Sequence, residues 1–143
     1  MGGKILDNII FAPLKRINTP GGDILKILTK EESAFQSFGE AYFSIVLPGV
    51  IKAWKLHTQM TLNLVVPEGK IRFVFVDESS AENIFRTEEL GEHRYARLTV
   101  PPGIWFGFQG IDEKPSILLN IANIIHDPNE SQRRKLSEIL FDW

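Results

Sequence analysis

Between residues 41 and 125 the chain runs through short apolar stretches cut off by proline and glycine. Residues 41–46 stop at Pro48-Gly49, residues 50–57 and 61–66 follow, and Pro67-Glu68-Gly69 turns the chain into residues 70–77. In that last run Lys70, Arg72, Val74 and Val76 fall on one face and Ile71, Phe73, Phe75 and Asp77 on the other, the alternation of a half-buried strand. Residues 95–100 alternate too and halt at Pro101-Pro102-Gly103. Residues 104–109 and 116–125 read as two further strands joined by the polar turn of residues 110–115. This many short strands predicts an all-β sandwich or barrel and argues against a βαβ fold. Residues 78–91 are charged, lack a clean period and read as a loop with room for a helical turn. Near the end, Asp127-Pro128-Asn129-Glu130 places an acid at the N-cap, proline at the first helical position and an acid at the third. Leu136, Ile139, Leu140 and Trp143 then share one stripe, so a short C-terminal helix packed on the barrel is predicted.

Composition narrows the class. The 143 residues are 43% apolar and 24% charged, which suits one globular domain over residues 1–143 and excludes global disorder. The formal charge is -2, without the basic excess that phosphate neutralisation requires, so nucleic acid is not an expected partner. Cysteine is absent, which removes disulfides, thiolate metal sites and a cysteine nucleophile. Met1-Gly2-Gly3-Lys4 leads into no long apolar region, and no stretch approaches the ~20 apolar residues that span a bilayer. The expectation is a cytoplasmic protein with neither signal peptide nor membrane partner.

Chemistry concentrates in Pro48-Gly49-Val50-Ile51-Lys52-Ala53-Trp54-Lys55-Leu56-His57, closing on Gly69. On a strand Lys55 and His57 point to one face, whereas Lys52 has the opposite parity and reaches that face only through a bulge or at a barrel rim. The spacing from Gly49 to Gly69 resembles the first cupin motif, in which His-x-His and a Glu converge on a metal inside a β-barrel. Here Lys55, His57 and Leu62 occupy those positions, and Phe106 stands where the second motif has its His. An ammonium offers no lone pair to a cation, so no metal and no cofactor are expected.

A closer resemblance is to the dTDP-4-dehydrorhamnose 3,5-epimerase family, the sugar-nucleotide branch of the cupins. Gly49-Val50-Ile51-Lys52-Ala53-Trp54-Lys55 is similar to the epimerase run Gly-Val-Leu-Arg-Gly-Leu-His. Residues 69–77 resemble its strand ending in Val-Asp. Pro102-Gly103-Ile104-Trp105-Phe106-Gly107-Phe108 resembles its Pro-x-Gly-x-x-His-Gly-Phe. The similarity begins near Gly22 and implies a cupin-type jelly-roll barrel, a homodimer with an N-terminal strand added to the partner's sheet, a nucleotide-linked sugar as ligand and a place in the dTDP-rhamnose pathway. The family's epimerases pair a His base with an enolate-stabilising Lys, a Tyr acid on the opposite face and a late Asp that orients the His. In this sequence those positions hold Lys55, Leu62 and Asn120, a second family Tyr is matched by His126, and the orienting Asp would fall beyond the last residue. The family's phosphate-binding Arg is matched by Lys52, which keeps the charge but loses the bidentate fork.

Two functions follow from the resemblance. The first is an epimerase-like enzyme acting on a nucleotide-linked 4-keto-6-deoxy sugar, with Lys55 and His57 abstracting the proton and His126 as acid from the other side. A desolvated lysine can serve as a base near neutral pH. Lys52, Arg72 and Asn120 would then bind the substrate. The second is a non-catalytic sugar-nucleotide or carbohydrate-binding cupin. Each residue also has a plain structural reading. His57 fits a hydrogen-bonded core position, Arg72 a solvated strand face, Asn120 a backbone bond and His126 a surface flank of the final helix. Tyr42 and Trp54 read as core or interface aromatics, Trp105, Phe106 and Phe108 as closing the barrel end, His93 as surface, and Arg133-Arg134-Lys135 as the solvated side of the last helix.

Overall fold

The alternating runs become twelve strands in the computed structural model, which describes residues 3–143. Met1 and Gly2, where the search for a leader segment begins, lie outside the described residues. One sheet holds, in order, β1 (Ile10–Pro13), β9 (Ala96–Val100), β6 (Leu62–Glu68), β11 (Ser116–Ala122) and β4 (Glu40–Val46). The second holds β12 (Ser131–Arg133), β5 (Ile51–His57), β10 (Trp105–Gly110), β7 (Lys70–Asp77) and β8 (Ile84–Gly91). The short strands β2 (Arg16–Ile17) and β3 (Ile24–Leu25) pair with each other alone. Neighbours such as β10 and β7, or β11 and β6, run antiparallel, and the two sheets face each other as the walls of a cupin-type jelly roll.

The alternation of β7 is explained by two cores. Ile71, Phe73 and Phe75 point inward and join Leu64, Leu98 and Leu118 of the facing sheet. Val74 and Val76 point outward, into a second cluster with Trp54, Trp105 and Ile139 that Phe141 and Trp143 help to cover. From Phe73 to Val76 both faces of this strand are therefore buried, and each fully buried Phe contributes roughly 1.5–3 kcal/mol of transfer free energy. Gly69, with φ +86°, makes the turn between β6 and β7; a side chain there would strike Ser116 as well as strain the backbone.

Two expectations are corrected. The second half of the expected loop at 78–91 is strand β8, paired with β7 from Asp77↔Ile84 to Lys70↔Gly91. It shows no period because both faces are occupied: Ile84 and Leu90 pack inward, Phe85 meets the Phe141 ring at a tilt, and Arg86 donates to the Leu6 and Ile9 carbonyls and to Glu88. The predicted C-terminal helix is absent. Ser131–Arg133 instead pair with β5 as β12, and only a single 3-10 turn, Leu136–Glu138, follows. The free edge of β5 supplies partners that a short solvated helix cannot, and of the predicted stripe Ile139 and Trp143 pack while Leu136 and Leu140 stay exposed. The N-terminal strand β1 lies on the chain's own β9.

Candidate active site

The site starts from an irregularity in β5. Against β10, Lys55 pairs with Phe106 and Lys52 with Phe108, so two residues of β5, Ala53 and Trp54, stand opposite the single Gly107. This bulge reverses the parity of everything before it. Lys52 is thereby turned to the same inner face as Lys55 and His57, while Trp54 points out into the second core. Gly107 makes room for the bulge, since a Cβ there would overlap the Cβ of Ala53.

Between the sheets lies a cavity of about 520 Å³. The second sheet supplies Lys52, Lys55 and His57 from β5 and Arg133 from β12; the first supplies Tyr42 and Ser44 from β4 and Asn120 from β11. Phe106 and Phe108 line its apolar side, and Trp105 belongs to the outer cluster. Of the predicted site residues, Lys52, Lys55, His57 and Asn120 converge here. Arg72 does not: it sits on the outer side of β7, 3.8 Å from Glu89. His126 is exposed in the segment after β11, its backbone N–H donating to Glu40, and does not line the cavity.

His57 is 6% exposed and Glu130 5%. Their contact, Nδ1 to Oε1 at 2.7 Å, joins β5 to the segment before β12. The other carboxylate oxygen accepts the backbone N–H groups of Gln59 and Met60 at 3.0 and 2.9 Å. A carboxylate satisfied in this way stays ionised: burial pushes it upward, but the bonds from His57 and the two amides outweigh burial and hold it below the ordinary carboxylate range. His57 is displaced downward, because burial outweighs the pull of Glu130, with Lys55 and His126 adding repulsion. With Nδ1–H donated to Glu130, the Nε2 lone pair is the basic atom.

Lys55 is half-buried and makes no ion pair among the described residues. Burial lowers its pKa, Arg133 directly across the β5–β12 pair lowers it further, and Glu130 opposes them. Arg133 likewise has no carboxylate partner among the described residues, whereas Arg134 is held by Glu78 at 2.6 Å and lies over the Trp105 ring. Asn120 donates to Ser44 Oγ at 3.0 Å, and no described residue donates to its side-chain oxygen. Tyr42 pairs with Asn120 across β4 and β11, and burial raises its phenol, with Glu40 adding to the shift. The residues do not fit a metal. Lys55 and Leu62 replace two cupin ligands, Glu130 occupies Nδ1 of His57, and no cluster of three ligating side chains occurs among the described residues.

No family model matches the chain. A solved dTDP-sugar isomerase from Desulfovibrio desulfuricans G20 is 35% identical, covers 96% of this chain and 91% of its own, and superposes with a TM-score of 0.88. This chain belongs to the dTDP-4-dehydrorhamnose 3,5-epimerase family of sugar-nucleotide cupins. A family member from Sulfolobus tokodaii, at 24% identity, shares the fold over 99% of this chain and 82% of its own, with a TM-score of 0.81. The probable low-salt glycan biosynthesis epimerase Agl13 of Haloferax volcanii is 28% identical over 67% of this chain, a match that spans 64% of the curated protein. In this epimerase-family chain, the family's usual His, Lys and Tyr positions hold Lys55, Leu62 and Asn120, and polar groups gather around His57 instead.

Sequence reasoning missed Glu130, Arg133 and Tyr42. Glu130 carried a helix-start signature, Arg133 fell in a basic run suited to a solvated helix, and Tyr42 was one of several aromatics. Ser131, Gln132 and Arg133 are all polar, so no local period marks this segment as a strand; only its pairing with β5 does.

Proposed function

We propose that this protein is a sugar-nucleotide epimerase that moves a proton on the carbon beside the ketone of a dTDP-linked 4-keto-6-deoxy sugar. The observation that carries this is the His57–Glu130 pair, a neutral base of defined tautomer buried in the wall of an open cavity. His57 Nε2 takes the proton at C3. Glu130 stabilises the imidazolium that results, as a buried carboxylate does for a histidine base. Tyr42, on the facing sheet, supplies the hydroxyl that returns a proton from the opposite side, which inverts the carbon; this replaces the role expected of His126. Asn120 offers its side-chain oxygen to a sugar hydroxyl, and Lys52 with Arg133 forms a cationic rim for the diphosphate. The relative described as a dTDP-sugar isomerase, and the curated epimerase, support the same class of substrate and reaction.

The homodimer expected from the resemblance is part of this reading, with the exposed apolar residues Phe43, Ile45 and Leu47 on and beside edge strand β4 as its contact. So are the cytoplasmic location and the dTDP-rhamnose pathway, which a complementation assay in a strain lacking the epimerase addresses. The direct test is incubation with dTDP-4-keto-6-deoxyglucose in deuterium oxide, following the C3 and C5 protons by NMR. Loss of the C3 signal above the buffer rate is the expected result, and His57→Asn should stop it. Shifted ligand resonances without exchange would leave a binding protein in place of the enzyme.

A further inference from the structure

We propose that Lys55 acts covalently, its Nζ condensing with the ring ketone of the substrate to give an iminium ion whose neighbouring carbon His57 deprotonates. This rests on the epimerase reading and adds a role for a side chain that reading leaves without one. The base is already present in His57, held by Glu130, so a second base two residues away on the same face is redundant. A phosphate anchor is also supplied, by Lys52 and Arg133 at the rim. What the cavity lacks is an electrophile to acidify the C–H bond, because the position of the family's enolate-stabilising lysine falls on Leu62.

The surroundings of Lys55 favour the amine over the ammonium. Lys55 is half-buried on the cavity face, opposite Phe106 on one neighbouring strand and opposite Arg133 on the other. It makes no ion pair among the described residues, and the carboxylate closest in influence, Glu130, is committed to His57 and to two backbone amides. Lys52 and His57 share its face, and Tyr42 closes the facing wall. A lysine is activated as a nucleophile by partial desolvation and by a neighbouring cation, and Lys55 has both, half-buried against Phe106 on one side and opposite Arg133 on the other. Burial and Arg133 both act to release its proton.

The cycle balances without an oxidant or reductant. The Nζ lone pair adds to the ketone carbon, the C–N bond forms, and the former carbonyl oxygen leaves as water with uptake of one proton from solvent. His57 Nε2 then removes the C3 proton, and the C–H electrons become the double bond of a neutral enamine. Reprotonation at C3 regenerates the iminium ion. Water adds back, the C–N bond breaks, and the free amine, the ketone and one proton are restored.

The test joins trapping to exchange. The protein is incubated with dTDP-4-keto-6-deoxyglucose and cyanoborohydride, and intact mass and peptide maps are recorded; a parallel sample without reductant in deuterium oxide reports C3 exchange. The expected result is an adduct heavier by the sugar nucleotide less one oxygen atom, located on Lys55. In Lys55→Arg the adduct should be absent and exchange about 100-fold slower, at unchanged melting temperature. Exchange with no adduct, an adduct on another residue, or Lys55→Arg exchanging within tenfold of the parent would overturn the covalent role and leave the epimerase reading standing. An adduct without exchange would keep the iminium ion and remove the proton transfer. Neither adduct nor exchange would overturn both.

Discussion

A buried histidine is ordinarily a packing residue; the proposed role of His57 as a base rests on the Glu130 carboxylate that fixes which nitrogen carries its proton. Replacing His57 with Asn should lower kcat/KM by about 10²–10⁴-fold while leaving the circular dichroism spectrum intact, as steady-state NMR assays can check. Glu130→Gln tests positioning separately from binding. It should reduce kcat by about 100-fold with KM little changed, because the ring loses its charge partner and not its contact with the sugar. The pH profile gives the sign. His57 is displaced below the ordinary 6.5 of histidine, so activity should persist through neutrality and fall only as pH drops through that lowered value. Glu130 raises the His57 value, so Glu130→Gln should move this acid limb to still lower pH. Stability follows the same direction. Both groups have folded values below their unfolded ones, so their contribution is complete at neutral pH. It is lost on acidification, for His57 from about 6.5 downward and for Glu130 from about 4.5 downward.

At the level of the strand, one extra residue decides the site. The bulge at Ala53-Trp54 converts a parity that would point Lys52 outward into one that lines Lys52, Lys55 and His57 along the cavity. Gly107→Ala is the sharpest probe of it, because the new methyl would meet Ala53 and the Lys52 carbonyl. The substitution should destabilise the fold by about 1–3 kcal/mol in denaturant titrations. It should also raise KM for the nucleotide sugar, since Lys52 can no longer hold its place. Strand β12 carries a comparable burden. Its pairing with β5 brings Arg133 to the cavity, and the turn before it delivers Glu130 to His57. Local signals in that segment favoured a helix; tertiary partners for the β5 edge overrode them.

For the whole molecule, the C-terminal residues act as a lid on the outside of the second sheet. Ile139, Phe141 and Trp143 cover Trp54, Val74, Val76 and Trp105, which face away from the main barrel core. Ile139→Ala should cost about 2–5 kcal/mol, measured by chemical unfolding, although it lies outside the cavity lining. On the other sheet, Phe43 is 65% exposed and shares strand β4 with Ile45. Multi-angle light scattering should report a dimer for the parent chain and a monomer, or a weakened dimer, for Phe43→Glu paired with Ile45→Glu.

Alternation and turn residues alone were enough for the all-β class and for most strands of the barrel, because the side-chain period of a strand is set locally by the backbone. The second core lies on what alternation presented as the outer face of a half-buried strand, and it came only with the packed C-terminal residues. The Gly49–Gly69 spacing and the Pro102–Phe108 run were enough for the family, and the strand parity of Lys55 and His57 for half of the cavity's polar wall. What no local pattern contained was the pairing: a bulge is visible only against its partner strand, so the inward turn of Lys52 waited on β10. Arg72 is the converse case: it keeps the parity of Val74 and Val76 on the outer side of β7, near Glu89, with no bulge to turn it inward. Glu130 lies 73 residues from His57 along the chain. Their contact exists only after β5 and β12 have paired, and it is that long-range pairing, not any motif, that orients the His57 ring and sets its tautomer.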